Sequence, residues 1–185
     1  MSKNQERYPD FKDWVWRGWT SNKVVEIDTF IAENEAKERR FHVGTDSKEY
    51  GKKTLFATAL VAHHSSQGGS ILIHKDKMNA HLTKGEGLRH RLIMEAMRTL
   101  EVAWYLDQKI VEHTKVRLHV DVNDVLDFKS GQYKEELVGM IMGQGYTSYQ
   151  DIERQPNKEI DDFERVVFWK PDAWAAQSVA DRRTK

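Results

Sequence analysis

Residues 40–47 read RFHVGTDS, and their alternation decides the fold. Phe41, Val43 and Thr45 fall on one side while His42, Gly44 and Asp46 fall on the other, the period-two pattern of a half-buried strand that ends on an acid. A turn, KEYGKK, follows, and then TLFATALVAHH (54–64), an apolar, β-rich run with the character of a central strand. SSQGG turns the chain into SILIHK (70–75). Each connection is too short for a crossover, so the three strands form an antiparallel meander.

Outward from the meander the period changes. Residues 76–84, DKMNAHLTK, read as a loop. From Glu86 to about Leu106, the residues Leu88, Leu92, Ile93, Ala96, Met97, Leu100, Ala103 and Trp104 recur at three- and four-residue intervals, which predicts a long helix with one apolar stripe that Glu95 borders. KVRLHVDV (115–122) alternates again, so a second acid, Asp121, rides a strand. Tyr133, Leu137, Met140 and Ile141 predict a helix over 132–142, stopped by Gly143 or Gly145. The acidic stretch 151–164 reads as a solvated connection, RVVFWK (165–170) as a fifth strand, and AWAAQSVAD as a short closing helix. Upstream, Ser21 precedes a helix expected near 22–36. Trp14, Trp16 and Trp19 either pack back on the body or offer a stacking surface for bases. The order α, β-β-β, α, β, α, β, α implies an α/β chain with a mixed five-stranded sheet.

The 185 residues hold 29 Lys+Arg against 29 Asp+Glu and no cysteine. That length fits one ordinary domain with a sizeable core. Without cysteine there is no disulfide framework, thiolate zinc site or cysteine nucleophile, and a reducing, cytoplasmic setting is expected. No apolar run reaches the ~18–20 residues of a membrane helix, and MSKNQERYPDFKDW has no signal core, so no membrane partner is expected. Neutral charge argues against a protein that grips polyanions by bulk electrostatics.

GTDSKEYGKKT is not a phosphate loop, because six residues separate Gly44 from Gly51 and Lys53 follows Lys52. HExxH, GxSxG and GxGxxG are absent, and the eight histidines are scattered. Acids on strands are the sharper signal, since a carboxylate among β-branched residues is costly to bury unless it is paired or binds a metal. Carboxylates on adjacent strands, ~4.8 Å apart, can share divalent ions. The alternative is that Asp46 starts a turn and that Asp121 begins a loop before Asn123 and Asp124.

With FHVGTDS entering a meander, LIMEAM on the following helix, a strand ending HVDVN and a terminal KPDAWAAQSVADRRTK, the chain resembles the ribonuclease H-like superfamily and, within it, the YkuK family. The resemblance covers roughly 40–185 and leaves 1–39 as a Trp-rich N-terminal extension with one helix. It implies a metal-dependent nuclease hydrolysing RNA, DNA or an RNA–DNA hybrid with Mg2+ or Mn2+, two ions in all. The implied catalytic and metal-binding set is Asp46, Glu95, Asp121 and Asp181, with Asp172 and Asp124 as fallbacks. Glu86 competes with Glu95 but sits where a helix dipole favours an acid, and Asp172 also reads as a helix N-cap. Lys48 stands where proofreading-type exonucleases of the superfamily carry a glutamate, which disfavours that branch. Lys75, Lys77, Lys84, Arg89, Arg91, Arg182 and Arg183 are the candidates for backbone phosphates, against the reading of charged runs as solvated faces. Two other classes stand beside the nuclease: a non-catalytic nucleic-acid- or protein-binding module on the same fold, and an assembly protein using the three tryptophans. The pattern sets neither substrate strandedness nor oligomeric state.

Overall fold

The computed structural model describes residues 11–79, 87–111, 114–123 and 130–184. Its centre is the meander: β2 (Arg40–Tyr50), β3 (Lys53–His64) and β4 (Gly68–Asn79), numbered after a short β1 (Trp16–Gly18). β5 (Val116–Val120), β6 (Thr147–Ser148) and β7 (Arg165–Trp169) complete one seven-stranded sheet of order β1-β4-β3-β2-β5-β7-β6. The pairs from β1 to β2 are antiparallel and those from β2 to β6 are parallel. The helices are α1 (Ile27–Glu35), α2 (Leu88–Lys109), α3 (Lys134–Met142), α4 (Tyr149–Glu153), a π-wound segment Ala175–Ala180 and α5 (Asp181–Thr184).

The sheet has seven strands where the sequence pattern predicts five. β1 and β6, of three and two residues, are too short to show an alternation of their own. The meander strands are also longer than expected. β2 continues through Asp46 to Tyr50 and pairs with Lys53 across a two-residue loop in which Gly51 takes φ 57°, so Asp46 lies inside a strand and does not open the turn. β4 runs into the expected loop as far as Asn79, opposite Lys53. Its charged Asp76 is tolerated there because the buried Arg98 donates to both of its oxygens, at 3.0 and 2.6 Å. α1 starts at Ile27 and not near 22, since Val25 N–H bonds back to the Trp16 carbonyl at 3.0 Å and Val24 bridges to Arg17.

Strand alternation sorts the two faces. Phe41 and Val43, Leu60 and Leu72, Val116, Leu118 and Val120 pack under α2 and α3 in one core that also takes in Trp14, Trp16, Phe30 and Ile31. The N-terminal tryptophans thus pack on the body, with Trp14 stacked on His74 at 4.2 Å. On α2 the buried face includes Leu92, Ala96, Leu100, Ala103 and Leu106, whereas Trp104, expected in the apolar stripe, is exposed and donates its indole N–H to Gln144 Oε1. The other face carries Ala59, Val61 and Ile73 with Ala180. There His42 and His119 meet at 3.0 Å between ring nitrogens with Trp174 against both, and burial drives both imidazoles well below their ordinary values, His119 to about 3.

The acidic connection 151–164 is not simply solvated. Arg117 projects from β5 into the second face and is buried, so it needs acceptors. It finds them in the Ile160 and Glu164 carbonyls, while Asp161 pairs with Arg40, Lys115 and Arg117. No described helix is long and apolar enough to cross a membrane.

Candidate functional site

Parallel pairing of β2 with β5 ends at Gly44↔His119. Two residues further along each strand stand Asp46 and Asp121, abreast by register and on the same side of their strands by alternation. The chains part at this point, outside the carboxyl end of a parallel pair, where open α/β sheets form their crevices. A cleft of about 350 Å³ opens there, lined by Asp46, Glu95, Asp121, Arg91, Lys170 and Asn123, with Leu88, Leu92 and Ser130. Three of the acids singled out from the sequence, carried by β2, α2 and the end of β5, therefore face one space.

Each acid is held differently. Beneath Asp46, the Thr45, Thr58 and Thr99 hydroxyls form a chain at 3.0 and 3.1 Å that ties β2 to β3 and to α2. Glu95 is 6% exposed, and Ser47 donates its hydroxyl to Oε1 at 2.5 Å. Its helix is locked one turn further on by Arg98, which pairs with Asp76 and lies 3.7 Å over the Phe56 ring. Burial pushes the Glu95 carboxyl up to about 8, helped by the charges of Asp46 and Asp121, while the Ser47 bond and Arg91 pull the other way. Asp121 is engaged by Lys170, whose Nζ lies 2.6 Å from Oδ1. Lys170 is the first residue after β7, and its N–H bonds to the Val122 carbonyl at 3.1 Å, which fixes the backbone from which the side chain reaches in.

Asp181 comes from a fourth element. It starts α5, a single turn packed against β2 and β3, and it is not among the residues lining the cleft. Asp172 is exposed, and its carbonyl accepts from Trp174 N–H at 2.9 Å. Asp124, Lys84, Glu86 and the Arg183 side chain lie outside the described residues. Among the described residues, no three His, Asp or Glu are grouped closely enough to form a ready metal cage. Magnesium does not demand one, since it is usually held by one or two carboxylates with waters and substrate phosphates completing an octahedron. The donor chemistry of the cleft, three carboxylates of which the buried Glu95 resists ionisation, is of the hard-oxygen kind that such a cation takes.

A comparison with protein-family models matches residues 23–150 to the family described as ribonuclease H-like. The chain belongs to that family. No curated protein and no solved structure gave a match. The matched segment of this ribonuclease H-like chain contains Asp46, Glu95 and Asp121 and ends before Lys170, Asp172 and Asp181.

The basic candidates divide. Arg91 lines the cleft and lies 3.7 Å from Glu49, and Arg89 is bidentate on Glu136 at the start of α2. Lys75 and Lys77 are exposed on β4, and Lys75 lines a separate pocket with Arg17 and Asn22. Arg182 is exposed on α5. Lys170 is the cleft residue that sequence reasoning missed. A lone lysine between a strand and a proline carries no spacing that marks it, and only the approach of β7 to β5 brings it to Asp121.

Proposed function

We propose that this ribonuclease H-like protein is a metal-dependent nuclease that hydrolyses phosphodiester bonds of RNA, DNA or an RNA–DNA hybrid. The observation that carries the reading is the shared cleft of Asp46, Glu95 and Asp121, three acids from three elements at the open end of the parallel strands. When bound there, two Mg2+ or Mn2+ ions would supply an activated water and a sink for the charge of the leaving oxygen. Asp46 and Asp121 would hold the ions, and Asp181 would be the fourth acid, with Asp172 as the alternative. Glu95 would hold one ion and orient the attacking water, its Oε1 fixed by the Ser47 hydroxyl. Arg91, on the cleft wall, neutralises the phosphate of the incoming strand.

Purified protein incubated with labelled single-stranded RNA, single-stranded DNA and an RNA–DNA hybrid should cleave at least one of them in Mg2+ or Mn2+ and none of them in a chelator. Cleavage should fall to background in Asp46→Asn. Cleavage that survives this substitution refutes the assignment.

A second reading has an observation in its favour. Lys170 already neutralises Asp121, and Asp181 is not in the cleft lining, which suits a nucleic-acid- or protein-binding module that has kept the fold without the chemistry. Nucleic-acid binding without cleavage, indifferent to the chelator, would select it.

A further inference from the structure

The cleft holds three acids and two basic side chains, Arg91 and Lys170. The two cations are not equivalent. Arg91 is drawn toward Glu49 at the rim, 3.7 Å away, whereas the Lys170 ammonium sits directly on Asp121 at 2.6 Å with both side chains mostly buried. An ammonium at this distance stands beside the oxygen that a Mg2+ ion would approach to ~2.0–2.1 Å, so the two would lie close to one another. A carboxylate has lone pairs enough for both, but the two positive charges repel, and each raises the cost of admitting the other.

We propose that Lys170 is a positioning residue that acts as the built-in counter-ion of the cleft: it holds Asp121 in the metal-free protein and competes with the divalent cation for it, thereby setting the metal affinity of the site. The proposal rests on the reading of the cleft as a divalent-cation site. It gives Lys170 a role that a lysine placed merely to close β7 onto β5 would lack, since the Lys170 N–H to Val122 carbonyl bond makes that closure whatever the side chain is. The lysine carries part of the charge that the metal would otherwise carry, and the ion pair must be surrendered when the metal arrives.

The test is calorimetric titration of the full chain with Mn2+ alone, with no nucleic acid present. If the ion pair has the worth usual for a partly exposed pair, removing the competing ammonium in Lys170→Met or Lys170→Gln should tighten Mn2+ binding about five-fold, whereas Lys170→Arg should stay within about two-fold of wild type. Asp121→Asn, which removes the shared oxygen, should weaken binding in either background. Unchanged or weaker Mn2+ binding in both neutral variants, with binding in wild type that Asp121→Asn weakens, overturns the role of Lys170 and leaves the cation site standing. Failure of wild type and both neutral variants alike to bind Mn2+ overturns the cation site and the counter-ion with it. A measurement on the unsubstituted protein covers the case of a variant that does not fold. Mg2+ titration should carry the Lys170 side-chain nitrogen resonance to the position of a solvent-exposed lysine as the site saturates, and a resonance that stays put at saturation also refutes the competition.

Discussion

Glu95→Gln offers the most direct test of the electrostatics of the cleft. Glutamine keeps the shape of the side chain and an oxygen that can accept the Ser47 hydroxyl, but it cannot ionise. In the wild type, burial first and the neighbouring Asp46 and Asp121 second raise the folded-state carboxyl from 4.5 to about 8. An acid whose pKa is higher folded than unfolded binds an extra proton in the folded state throughout that interval. Its contribution is therefore complete below the unfolded value and is lost as pH rises from about 4.5 through about 8. With 1.36 kcal/mol per unit, the wild type should lose about 1 kcal/mol relative to Glu95→Gln by pH 5, about 3 by pH 7 and about 5 by pH 9, if the cleft stays closed to water. Urea denaturation of both proteins in chelator-containing buffer, from pH 5 to pH 9, reads the difference. It should widen with pH at just over 1 kcal/mol per unit and level off above pH 8. A difference that stays flat across the range would mean that Glu95 is already ionised and compensated in the fold, and that burial does not hold it protonated. Saturating Mn2+ should flatten the slope, because a cation in the cleft favours the ionised carboxylate.

Other expectations concern the supports of the site and its chemistry. Arg98→Met leaves Asp76 buried without its bidentate partner and should cost ~3–5 kcal/mol in urea denaturation, far more than an exposed ion pair. Trp16→Ala removes a ring that is 2% exposed and should cost ~3–5 kcal/mol in urea denaturation followed by circular dichroism. Asp46→Asn should abolish Mg2+- or Mn2+-dependent cleavage while leaving the circular dichroism spectrum unchanged, and a changed spectrum would turn Asp46 into a structural residue.

The elements that could be read from sequence are those whose burial repeats over many residues. β2 and β5 announced themselves by alternation and α2 by its stripe, and with them came Asp46, Glu95 and Asp121. What sequence reading missed obeys a different physics. β1 and β6 are stabilised by a neighbour's open edge and not by a pattern of their own. Asp76 in β4 and Arg98 in α2 look like surface residues until each becomes the reason the other can be buried. Trp104 falls on the apolar period yet lies outside the packed face, because α2 is covered by the sheet on one side only. Lys170 became visible only in three dimensions, as a single side chain whose meaning comes from a strand some fifty residues earlier in the chain.

β2 has neighbours of two kinds, and they assemble on different schedules. On one side it joins β3 through a two-residue loop, a contact that a growing chain can make at once. On the other it waits for β5, which is separated from it by the rest of the meander and the whole of α2, and β5 in turn waits for β7. A chain emerging from the ribosome thus presents Asp46 first, then Glu95, then Asp121, and Lys170 last. Because β5 waits for β7, whose last residue precedes Lys170, Asp121 reaches its place beside Asp46 only together with the lysine. Interrupted synthesis beyond Asp121 but short of β7 would leave β5 without its partner, and the cleft without the strand that sets Asp121 and Lys170 side by side.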